Sequence, residues 1–252
     1  MFYGRPFRCW RPEGHGTVNA HSALKLSCDT YFYTLGQRMG IERIARYARL
    51  FGLGSATGID ISGEKRGLVP DPAWSLAARK HPWYAGETIS VSIGQGPVLL
   101  TPLQMAEMTA LVANGGKKVT PHLLKDAKGL PPAVDVPLDK KALAAVRGGM
   151  WAVVNEPGGT AYGSARLPGI EIAGKSGTVQ VIAYAQRIRP EDMPFKYRDH
   201  AWFTSFAPAG DPQLVVTVFA EHGGGGSRVA APIAQALYAK YFGIDNGKPP
   251  AP

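Results

Sequence analysis

The sequence predicts an α+β fold, an antiparallel sheet flanked by helices, and three observations carry that expectation. Helical patterns crowd the first 154 residues, while strand patterns cluster after residue 170. Two apolar runs, Trp202 to Phe206 and Leu214 to Ala220, flank Ala209-Gly210-Asp211-Pro212 and read as a hairpin. The 252 residues are 45% hydrophobic and 19% charged, enough to bury a real core and too apolar for a disordered chain.

Asn19 is placed to cap a helix starting at Ala20, with Ala23, Leu24 and Ser27 on one face. Ile41 to Phe51 is amphipathic and is ended by Gly52 and Gly54. Residues 55–86, rich in Gly, Pro and Trp, read as a long irregular connection. Ile89, Val91 and Ile93 alternate with serines, predicting a short strand into Gly94-Gln95-Gly96. Thr101-Pro102 opens a helix that stops at Gly115-Gly116, and another runs from Lys140 to Val154. Ile170 and Ile172 on one side of Lys175-Ser176-Gly177-Thr178, and Val179 and Val181 on the other, suggest flanking strands. Residues 185–199 read as a charged loop, and Ala231 to Phe242 as a closing helix. No internal repeat or low-complexity linker interrupts the chain.

The net charge of +9 favours anionic partners such as phosphates, acidic glycopolymers or a membrane surface. Nucleic acid is not expected, because the basic residues are scattered and no nucleic-acid-binding signature appears. No apolar run reaches membrane-span length, and no signal peptide opens the chain.

Two short motifs carry chemistry. In Lys175-Ser176-Gly177-Thr178 an ammonium and two hydroxyls suit an anion, and Gly177 lets a ligand backbone approach closely. Alone, such a run is common on solvated strands. The second motif is Ser27-Cys28-Asp29. Positions i and i+2 do not share a helix face, so if Ser27 and Asp29 serve one site the helix must break between them.

In that order the two match the S-x-[ND] and K-[ST]-G motifs of penicillin-recognising serine enzymes. The wider context makes the match specific: S-C-D-T-Y-F-Y, P-W-Y-A-G-E-T-I-S-V-S-I-G-Q-G, I-G-Q-G-P-V-L-L-T-P-L-Q-M-A, A-G-K-S-G-T-V-Q-V, H-A-W-F-T-S-F-A-P and E-H-G-G-G-G-S. From about Phe7 to Phe242 the chain resembles class B penicillin-binding proteins, in particular the elongation-type, penicillin-binding protein 2 group. The resemblance implies a penicillin-binding, serine β-lactamase-like transpeptidase fold. It also implies a peptidoglycan D,D-transpeptidase that cross-links D-Ala-D-Ala stem peptides through a serine acyl-enzyme and binds β-lactams.

Carried over by motif, Ser27 would relay protons toward the leaving group, Asp29 stands where the family usually has Asn, and Lys175 would hold charge beside the relay. Ser176 and Thr178 would bind the substrate's terminal carboxylate, Gly177 would make room, and N–H groups near Val179 would help form the oxyanion hole. The family's nucleophile belongs to S-x-x-K, several dozen residues before S-x-D. The expectation is therefore a transpeptidase domain lacking its N-terminal part, with a flexible tail from about residue 243, and inactive by itself. Ser22-Ala23-Leu24-Lys25 matches S-x-x-K but ends two residues before Ser27, too close for two separately placed catalytic segments.

Thiolates and imidazole suit zinc. The family resemblance implies that catalysis needs no cofactor, and that the full-length protein can hold a structural zinc near the S-x-D turn. His15 and Cys28 match two of its ligands, and Cys9 stands where an aspartate is expected. The two cysteines can equally be free or disulfide-linked. The resemblance further implies an inner-membrane tether with a periplasmic catalytic domain and a membrane glycosyltransferase partner. The competing reading is a non-catalytic β-lactam- or peptidoglycan-binding module.

Overall fold

The structure is a computed structural model that describes residues 1–125, 129–182 and 192–244. In chain order its elements are α1 (Ala20–Lys25), α2 (Asp29–Met39), α3 (Ile41–Leu50), α4 (Pro72–Trp74), α5 (Ala85–Val91), α6 (Pro102–Ala113), β1 (Lys117–Lys118), β2 (Val134–Asp135), α7 (Lys140–Asn155), β3 (Ala173–Val179), β4 (His200–Ala207), β5 (Leu214–Ala220) and α8 (Ala230–Tyr241). They fall into two compact units. One comprises Met1–Val18, Cys28–Leu111 and Gly115–Leu138, the other Asn19–Ser27, Val112–Asn114 and Asp139–Pro252.

The second unit holds the sheet. Its strands run in the order β3-β4-β5, antiparallel throughout. Phe203, Ala207 and Val216 are buried with Val153 and Val154 of α7 and with Ala230, Ala231, Ala234 and Tyr238 of α8. Alanines on α8 let the helix lie close to the strands, and burying the larger side chains contributes about 1.5–3 kcal/mol each. Tyr238, fully buried, donates its hydroxyl to Ser205 Oγ at 3.0 Å, which removes the cost of an orphaned phenol. At the other end α1 is fixed by a reciprocal cap: Asn19 Oδ1 accepts from the Ser22 N–H, and Ser22 Oγ accepts from the Asn19 N–H, both at 2.9 Å.

The regular elements of the first unit are mostly helices. Ala45, Leu53 and Val69 form its small core with Phe51, Leu100 and Met108 against them. The stretch expected to be irregular, residues 55–86, is irregular only in its first part, which buried Gln104 organises by donating from its side-chain amide to the carbonyls of Ser55 (2.7 Å) and Arg66 (2.8 Å). Further on, Asp71 caps α4, which continues as a π-helical turn over Ser75–Arg79. The predicted cap of α6 is present, with Thr101 Oγ1 accepting from the Gln104 N–H at 3.1 Å.

The stretch expected as a strand, Ile89 to Ile93, instead holds α5 as far as Val91. Glu87 accepts the Tyr84 N–H at 3.1 Å and closes the first turn, and three alternating apolar residues cannot outweigh such a cap. The run Lys175 to Thr178, expected on a strand edge, lies inside β3, at the edge of its sheet. Helix α2, unannounced by its aromatic-rich sequence, packs closely on Ser92 through Gly36, where a methyl group would overlap the serine Cβ. Of the expected tail, Ile244 is buried and bonded to the Ala239 carbonyl, and residues 245–252 lie outside the described residues, as do residues 185–191 of the charged loop.

Candidate active site and thiol–imidazole cluster

The helix carrying the second motif breaks where the two-residue spacing requires. α1 ends at Lys25, Ser27 takes a left-handed conformation (φ 51°), and α2 begins at Asp29. A non-glycine residue in that region costs about 1–2 kcal/mol, strain of the kind that accumulates where a side chain must be aimed. Ser27 is aimed at the third motif: Lys175 Nζ donates to Ser27 Oγ at 2.5 Å and to the Ser176 carbonyl at 2.8 Å.

β3 presents that motif from the end of the β3-β4-β5 order, in a register that pairs Lys175 with Thr204, Gly177 with Trp202 and Val179 with His200. Ser176 Oγ lies 3.2 Å from Thr160 Oγ1, and Thr178 Oγ1 accepts from the Gly226 N–H at 3.3 Å. Gly226 packs so closely that a methyl group there would overlap the carbonyl oxygens of Trp202 and Gly177. Gly226, in the glycine run before α8, thus braces the motif strand. Gly174 has a similar constraint, its missing Cβ falling 2.6 Å from Phe203 Cζ.

Glu156 is another contributor the sequence does not announce. It accepts from Lys25 Nζ at 2.8 Å and His21 Nε2 at 2.9 Å, tying α1 to the end of α7. Those two partners, Lys25 foremost, hold its carboxyl below the usual glutamate range. The same contacts account for the S-x-x-K look-alike. Ser22 Oγ is engaged in the α1 cap and Lys25 in the Glu156 pair. A second run of that pattern, Ser62 to Lys65, has both its serine and its lysine exposed in the first unit.

Asp29 belongs to the first unit. It sits in the first turn of α2, where a carboxylate complements the helix dipole, and its Oδ2 accepts from the Trp10 N–H at 2.9 Å. Nearby, Cys9, His15 and Cys28 place their ligand atoms within 4.8 Å of one another, with Cys9 Sγ 3.4 Å from His15 Nδ1. Both thiols are free, and Cys28 is buried. His15 Nε2 is also buried and has no hydrogen-bond partner. Donors around a tetrahedral zinc stand about 3.5 Å apart, so two thiols and an imidazole in this arrangement fit a soft divalent metal.

Comparison with known proteins identifies the family. The penicillin-binding protein transpeptidase domain matches residues 2–239. A peptidoglycan D,D-transpeptidase MrdA from Acinetobacter baumannii is 42% identical over 90% of this chain, and the chain spans 35% of that relative's length. Among solved structures, Pseudomonas aeruginosa PBP2 in complex with WCK 5153 superposes with a TM-score of 0.86 at 38% identity, covering 99% of this chain and 53% of that one. The Helicobacter pylori PBP2 in complex with MreC gives 0.85 at 38% identity, covering 94% and 43%. The chain belongs to the penicillin-binding protein transpeptidase family, in its PBP2/MrdA branch.

Proposed function

We propose that these residues form part of a peptidoglycan D,D-transpeptidase of cell-wall elongation, supplying the proton relay and the carboxylate-binding edge of its active site. The observation that carries the reading is the Lys175 Nζ to Ser27 Oγ bond, which joins the second and third motifs in one place. A seryl nucleophile from the family's S-x-x-K segment attacks the D-Ala-D-Ala carbonyl and expels D-alanine. The acyl group then passes to an amine on a neighbouring strand. Ser27 is placed to pass a proton toward the leaving nitrogen, and the Lys175 ammonium keeps the serine oxygen oriented. Ser176 and Thr178 donate hydroxyl hydrogens to the terminal carboxylate of the stem peptide, or of a β-lactam. Gly177 leaves space for the ligand backbone, and the Val179 N–H contributes to the oxyanion hole. Asp29 stands at the family's Asn position, where its bond to Trp10 N–H fixes its orientation.

Cys9, His15 and Cys28 would hold a structural zinc, which would tie the segment before α1 to the start of α2. The zinc takes no part in the reaction. No helix among the described residues is long and apolar enough to cross a membrane. Membrane tethering and a periplasmic site are proposed through family membership, as are partnership with a membrane glycosyltransferase and with an MreC-like protein of the kind bound by the H. pylori relative.

Fluorescent penicillin tests the reading. The full-length protein should form a covalent adduct, and Lys175→Ala should abolish it. An adduct that forms equally in Lys175→Ala and Ser27→Ala would refute the assignment.

A further inference from the structure

Thr160 lies beyond the end of α7 and outside every recognised motif, yet it touches both halves of the candidate site. Its backbone N–H donates to the Lys25 carbonyl at 3.2 Å, two residues before Ser27. Its Oγ1 stands 3.2 Å from Ser176 Oγ. The segment is anchored on both sides of Thr160. Glu156 holds Lys25 and His21, the Gly159 N–H donates to the Glu156 carbonyl at 2.9 Å, and the Ala161 N–H donates to the Val153 carbonyl at 3.0 Å. Gly159 packs so tightly on the end of α7 that a methyl group would overlap the carbonyl oxygens of Ala152 and Val153.

Proton counting gives the contact a direction. A serine hydroxyl has one hydrogen. When Ser176 gives it to a carboxylate, the hydrogen between Ser176 and Thr160 must come from Thr160. The geometry points to Thr160 as a positioning residue that donates to Ser176 Oγ, turns the serine's own hydrogen toward the ligand carboxylate, and sets β3 against the turn that carries Ser27. This role rests on the reading of Ser176 as a carboxylate binder.

The test measures penicillin acylation by the full-length protein, separating ligand affinity from the acylation step. Thr160→Val and Thr160→Ser are compared, each also in a Ser176→Ala background. Thr160→Val is expected to weaken affinity about tenfold, the scale of one lost hydrogen bond, while Thr160→Ser recovers most of it. The tenfold loss should disappear in the Ser176→Ala background, because the two hydroxyls act as one unit. Thr160→Ala provides the same comparison should the valine variant not fold. The proposal is overturned if Ser176→Ala weakens binding and Thr160→Val does not. It is also overturned if Thr160→Val costs the same factor with Ser176 absent, which would make the role purely structural. Acylation unaffected by Ser176→Ala would overturn the carboxylate reading itself, and the role of Thr160 with it.

Discussion

Lys175 Nζ and Ser27 Oγ, 148 positions apart in the chain, meet at 2.5 Å. The contact needs a serine in a left-handed turn and a lysine inside a strand, so neither a continuous helix nor a loop carrying Lys175 would produce it. Removing either partner should affect chemistry more than folding. In the full-length protein, Ser27→Ala is expected to slow penicillin acylation about 10²-fold or more, the usual scale for a positioned proton-transfer group. Thermal unfolding should move little. The acylation rate and the melting temperature, measured on the same preparation, check this.

Gly226 should show the opposite balance. A methyl group there meets two backbone carbonyls that cannot move without shifting β3 or β4. Gly226→Ala is expected to cost about 1–3 kcal/mol in urea unfolding. Gly177→Ala, whose added carbon would lie 3.3 Å from Trp202 Cβ, should cost less in stability while still impairing ligand binding.

Glu156 makes acid stability predictable in sign. Its carboxyl is held low by Lys25 and then His21, so its contribution is fully present above the usual glutamate range. That contribution is lost as pH falls through the depressed value. Glu156→Gln should therefore lower stability by about 1 kcal/mol near neutrality and by progressively less in acid. Denaturant unfolding between pH 7 and pH 3 would show the two curves converging on the acid side.

The thiol–imidazole cluster should bind one zinc per chain under reducing conditions, and His15→Ala or Cys28→Ser should abolish it. Cobalt substitution gives the readout, because thiolate ligation produces charge-transfer absorption that serine cannot. Loss of the metal should lower the unfolding temperature.

The legible parts of the molecule are those fixed by local chemistry. The β4–β5 hairpin follows from two apolar runs around a Gly-Asp-Pro turn. α6 follows from Thr101-Pro102, and the break after α1 from the spacing of Ser27 and Asp29. What stayed hidden depends on contacts made across the chain. The packing of α2 depends on Gly36 meeting Ser92, and the site's bracing depends on Thr160, Glu156 and Gly226 reaching residues far away in sequence. Glycine runs and a lone threonine look the same in a sequence whether or not a partner awaits them. The motifs are visible in the sequence, but the groups that pack against them are not.

The most direct test is an amide chemical-shift titration of this 252-residue chain with an acylated D-Ala-D-Ala peptide. The perturbed signals should be Ser27, Thr160 and Ser176 to Val179, and the response should vanish in a Ser176→Ala, Thr178→Val double variant. Perturbation that bypasses β3, or that survives the double variant, would contradict the claim that the two motifs form one substrate site with β3 as its carboxylate-binding edge.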